Sequence, residues 1–113
     1  MADIIYINVE EGVKRVMNNT KLYAKLLKKF EDDSNFNSMK EALKAGDLQK
    51  AQINAHTLKG LAANLSLTEL YKQSLEIETQ IKAGSVNPDQ IAVLEKINEQ
   101  TLAEVEKVIV QYG

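Results

Sequence analysis

The chain has 113 residues, with 14 Lys and Arg against 16 Asp and Glu for a net charge of −2, and 44% of it is apolar. That length suits one domain, residues 1–113, around one core, and the apolar share is too high for a disordered chain. The charge balance argues against nucleic acid as a partner, the lack of cysteine excludes disulfides and thiolate metal sites, and no apolar run is long enough to span a membrane.

Aromatic residues make up only 5%, so aliphatic side chains must fill the interior. With one proline and abundant Ala, Leu, Lys, Glu and Gln, an all-α fold is expected. Residues 3–7 are short and β-prone without a partner strand, and they read as an extended lead-in. Asn8 caps a first helix, with Glu11 completing a capping-box pattern. Val9, Val13, Val16 and Met17 form its apolar face, and it stops at Asn18-Asn19. Thr20 opens a second helix with the stripe Leu22, Tyr23, Leu26, Leu27 and Phe30. Its lysines Lys25, Lys28 and Lys29 read as a solvated face. Residues 31–34 break the pattern and cap a third helix, about 35–45, that buries Phe36, Met39, Ala42 and Leu43. Gly46 is expected at its left-handed end, and Asp47 caps the next helix.

The fourth helix, about 47–64, carries a seam of Leu48, Ala51, Ala55, Leu58, Ala62 and Leu65, with steps of three and four. The fifth, about 68–83, turns Leu67, Leu70, Tyr71, Ile77 and Ile81 inward. Gly84 to Pro88 is the clearest loop, and Pro88 starts the sixth helix, where its missing N–H costs nothing. Ile91, Leu94, Leu102, Val105, Ile109 and Tyr112 form the last stripe. Short connections favour antiparallel neighbours. The expected architecture is an antiparallel up-down four-helix bundle with two additional N-terminal helices.

His56 is the only histidine. The seam passes through Ala55, and one residue is about 100° of rotation, so His56 falls at the seam's edge. Gln52, Ile53, Lys59, Gly60 and Ala63 share that face. Gly60 interrupts a helix at a cost of about 1 kcal/mol, and the fold requires no turn there. Either a facing helix packs closely on it, or something must approach His56 from outside. Lys59, one turn away, is either solvent dressing or a charge partner for a phosphoryl group. A hairpin turning near Ser66 sets residue 56 opposite roughly 76 to 78. Glu78 is then either an ordinary surface glutamate or the acceptor that fixes the imidazole tautomer and leaves the second nitrogen nucleophilic. Such a histidine can take a phosphoryl group from a carboxylate on another protein. No Walker loop or glycine-rich nucleotide loop is present, so no ATP-dependent kinase activity is expected.

The run Ala55-His56-Thr57-Leu58-Lys59-Gly60-Leu61-Ala62-Ala63-Asn64-Leu65 resembles the signature of histidine-containing phosphotransfer (HPt) domains. The likeness extends to Asn8–Val13, Tyr23–Phe30, Ala45-Gly46-Asp47 and Leu75-Glu76. It implies a four-helix bundle in which His56 is the phosphoacceptor, at Nε2. Lys59 would steady the phosphoryl group, Glu78 would orient the imidazole, and Gln52, Ile53, Gly60 and Ala63 would form the docking face. The implied partners are a response-regulator receiver domain and a hybrid or sensor histidine kinase, with Mg²⁺ held by the receiver and no cofactor on this chain. Two departures stand out. Leu61 replaces the small or hydroxyl residue usual after the glycine, and Ser66 stands where a turn glycine is frequent. Leu61 either widens the docking surface or faces a neighbouring helix.

A docking module that binds receivers without accepting phosphate is the competing reading. A metal or haem bundle lacks ligands: there is one histidine, no cysteine, and Ile53 stands where a Glu-x-x-His pair would need an acid. No basic N-terminal segment precedes an apolar stretch, so no signal peptide is expected and a cytoplasmic setting is the default.

Overall fold

The computed structural model describes residues 5–113, so residues 3 and 4 of the expected lead-in lie outside it. The described chain is all-helical: α1 (Val9–Arg15), α2 (Thr20–Glu31), α3 (Asn35–Lys44), α4 (Leu48–Asn64), α5 (Thr68–Lys82) and α6 (Pro88–Tyr112). The caps follow from short polar side chains. Asn8, Asn19, Asp47 and Asn87 each accept a backbone N–H of the following helix's first turn. α3 differs, because Ser34 makes no side-chain cap and Asp33 instead accepts the Asn35 N–H at 2.9 Å.

Four helices end in one way. The residue after the cap turns to positive φ, and two reverse hydrogen bonds close the last turn. Gly46 (φ 74°) does this for α3, with Asp47 N–H donating to Ala42 at 2.8 Å and Gly46 N–H to Leu43 at 3.2 Å. Gly84 serves α5 in the same manner. Met17 (φ 57°) and Ser66 (φ 59°) take the corresponding positions after α1 and α4. α1 therefore ends at Arg15, and the Met17 side chain is 90% exposed instead of joining the apolar face.

α4 packs antiparallel on α5, α3 on α4, and α6 on α5. The fully buried Ala51, Ala55, Leu58 and Ala62 meet Leu70, Ile77, Leu94 and Val105 in one continuous core. α2 also packs on α6. It and α3 lie end to end along that helix. Lys21 and Lys25 line one depression with Ile109, Phe36 lines another with Leu102, and Lys40 pairs with Glu95 at 3.3 Å. The 25 residues of α6 span roughly 37 Å, enough to flank both.

Three further residues expected to face inward lie at the surface. Leu48 starts α4 beyond the end of the packed seam, Leu22 flanks the α2 stripe, and Tyr71 flanks the α5 stripe. On α5 the seam runs through Leu70, Ser74, Ile77 and Ile81, so a polar residue occupies the seam position that left Tyr71 looking apolar by default.

The start of the chain closes one end of the bundle. Asn8 N–H donates to the Ser66 carbonyl at 2.9 Å, and the Thr68 hydroxyl donates to the Ile5 carbonyl. The buried Tyr23 hydroxyl donates to the Leu65 carbonyl at 2.6 Å. Glu11 does not complete the capping box. Its carboxylate accepts from the Ser66 hydroxyl at 2.9 Å and pairs with Arg15 at 3.4 Å. This bond accounts for a serine where a left-handed turn would suit glycine.

Candidate functional site

His56 sits midway along α4, which is pinned at both ends. The Asp47 cap holds its start, and the bonds from Tyr23 and Asn8 hold the turn at its end. Ala55 and Leu58 on either side are buried, which fixes the helix rotation. The His56 side chain is 70% exposed, at the edge of the seam as the spacing requires.

Its Nδ1 lies 2.9 Å from Glu78 Oε2. Glu78 comes from α5, and its side chain is only 3% exposed. It is not an ordinary surface glutamate. Lys59 Nζ donates to the other oxygen, Oε1, at 2.7 Å, and Lys82 Nζ stands 4.0 Å from that same atom. Glu76, the other acid that hairpin counting allowed, is exposed and accepts from Gln80 one turn on.

Burial pushes the Glu78 carboxyl up, but the hydrogen bonds from Lys59 and His56 and the charges of Lys59 and Lys82 outweigh it. The group is held below the ordinary carboxylate range and is ionised at neutral pH. An ionised carboxylate only accepts hydrogen bonds. Nδ1 must therefore carry the hydrogen and donate it, and in the neutral ring Nε2 keeps its lone pair. Among the described residues no side chain bonds to Nε2.

Gly60 lies open. A methyl group built there meets nothing within 4 Å, so close packing of another helix does not explain the glycine. Gln52 and Ala63 are half-buried, and Ile53 is exposed. Gln52, Ile53, His56, Thr57, Glu78 and Lys82 line one shallow depression. Leu61 is not part of it; it packs on the core and lines a separate apolar groove with Leu26, Phe30 and Leu65. Lys59 is half-buried against Glu78 and is not the freely solvated lysine its position alone suggested. Lys82 was missed by the sequence reading. Its signal was its place four residues after Glu78, one turn along the same helix.

The arrangement is a helical bundle that presents one accessible imidazole whose proton is held by a buried carboxylate. A family model describing the Hpt domain matches residues 25–107, and the chain belongs to that family. Hpt domains serve histidine phosphotransfer in two-component signalling. No curated protein and no solved structure matches the chain. Among the described residues no helix is long and apolar enough to cross a membrane.

Proposed function

We propose that this protein is a phosphorelay carrier that takes a phosphoryl group on His56 Nε2 and passes it on. The observation that carries the reading is the Nδ1 bond to Glu78 on an otherwise exposed ring. A histidine that serves only as a contact has no need of a fixed tautomer, and this favours the carrier over the docking module.

The donor in this reading is the aspartyl phosphate of a receiver domain, carried by a response regulator or by a hybrid histidine kinase. The Nε2 lone pair attacks phosphorus, an N–P bond forms, and the P–O bond to the aspartate breaks. The carboxylate leaves with the electron pair. The Nδ1 proton stays in its bond to Glu78, whose negative charge offsets the positive charge the ring acquires. Attack by a second receiver's aspartate reverses these steps. Positioning and charge neutralisation are most of what phosphoryl transfer requires. Mg²⁺ belongs to the receiver, and this chain needs no cofactor and no ATP chemistry of its own.

In the same reading Lys59 steadies the phosphoryl group, and Gln52, Ile53, Gly60 and Ala63 form the receiver's landing face. The architecture in this reading is an up-down bundle of α3 to α6 with α1 and α2 added; the packing of α3 on α4, α4 on α5 and α5 on α6 supports it, and α2 shares the flank of α6. A cytoplasmic setting fits partners of this class.

The test is transfer from a panel of phosphorylated receivers. Wild type should gain one acid-labile, base-stable phosphate, and His56→Gln should gain none. Equal labelling of a folded His56→Gln protein would overturn the proposal. Tight binding of a phosphorylated receiver without any transfer would favour the docking module.

A further inference from the structure

We infer that Lys82 is a positioning residue for the phosphorylated state: it takes over Glu78 Oε1 when Lys59 turns to the phosphoryl group. This rests on the phosphocarrier reading. In the structure Lys59 is committed, 2.7 Å from Glu78 Oε1, with its side chain only 21% exposed. Steadying a phosphoryl group on the outward Nε2 requires that ammonium to loosen its hold on Glu78. Glu78 is too deeply buried to lose its closest cation without another taking its place.

Lys82 is placed for this. Its Nζ is 4.0 Å from the same oxygen that Lys59 occupies, beyond hydrogen-bond range yet close enough to close in by rotation of its side chain. That side chain is 55% exposed, so few neighbours oppose its rotation. It is on the last residue of α5, one turn from Glu78, so no backbone movement is needed. Lys59 reaches Glu78 Oε1 from α4 and Lys82 reaches the same oxygen from α5, so one can close in as the other withdraws.

The charges support the same assignment. A phosphoryl group brings a charge of about −2 at neutral pH. The ring gains one positive charge when Nδ1 keeps its proton. With Glu78 and both lysines the phosphorylated site is close to neutral. Without Lys82 it holds surplus negative charge beside the leaving phosphoryl group, which favours the donor side of the equilibrium.

The experiment uses phosphoramidate, a small donor that labels histidine without a receiver, and then a phosphorylated receiver. Lys82→Met should lower the equilibrium yield of phosphohistidine about threefold with both donors, and Lys82→Arg should restore it. In the wild type, the ¹⁵N signal of the Lys82 ammonium should become protected from solvent on phosphorylation, while that of Lys59 shifts. A Lys82→Met protein with wild-type yield, or a Lys82 ammonium unchanged on phosphorylation, would overturn the inference and leave the carrier reading standing. If wild type takes no phosphate from either donor, both fall.

Discussion

Two helical glycines, Gly12 on α1 and Gly60 on α4, do opposite work. Gly12 is buried, and a methyl group on it would collide with the ring of Tyr23. That ring is fully buried and its hydroxyl is bonded to Leu65, so moving it aside would break that bond. A methyl group on Gly60 would meet empty space. The first glycine is there for the fold, which fills the gap with an aromatic ring. The second costs the helix stability that nothing inside the molecule returns, and the vacancy beside His56 points outward.

The largest expected effect is on the Gly12 side. Gly12→Ala should cost about 2 kcal/mol through overpacking, read as a lower denaturant midpoint. Phosphoramidate labelling per folded molecule should not change. A midpoint equal to wild type would mean that Tyr23 can move aside, and the contrast would fail.

Gly60→Ala should do the reverse. It should raise stability by about 1 kcal/mol, the helix-propensity difference. It should slow transfer from a receiver while sparing labelling by phosphoramidate, which needs no docking. A variant both more stable and as fast with receivers would remove the reason for this glycine.

The smallest effects are in pH, and they separate the two regions at opposite ends of the scale. Burial, with a smaller contribution from the Glu11 charge, pushes Tyr23 from its ordinary 10.0 to about 12. Its contribution to stability is complete below pH 10 and is lost as pH climbs through about 12. Glu78 is held below its ordinary range. Its contribution is complete above that range and disappears as pH falls through the lowered value. Glu78→Gln should therefore flatten part of the acid limb of an unfolding profile, and Tyr23→Phe part of the alkaline limb. Identical limbs in wild type and variants would remove this distinction.

The helices and the exposed face of His56 were legible because both follow from period alone. Ala51, Ala55, Leu58 and Ala62 are buried where steps of three and four place them. What the pattern could not carry was contact between elements. Glu78 looks like any solvent-facing acid until Lys59 and His56 of another helix are brought to it. The end-to-end stacking of α2 and α3 depends on the angle taken at Asp32 to Ser34, which no periodicity encodes. Met17 read as apolar and inward because its left-handed backbone, unusual for methionine, has no sequence signal.

The anchoring of α4 at both ends has a consequence for the heat of association. Asp47 fixes one end, and Tyr23 with Asn8 fixes the other, so the helix that presents His56 has no ordering left to do when a partner arrives. Titration calorimetry with a receiver should give a heat-capacity change that matches the apolar area covered, without the larger negative value that coupled folding adds. Cutting the Tyr23 tie should let the end of α4 fray and make that value more negative.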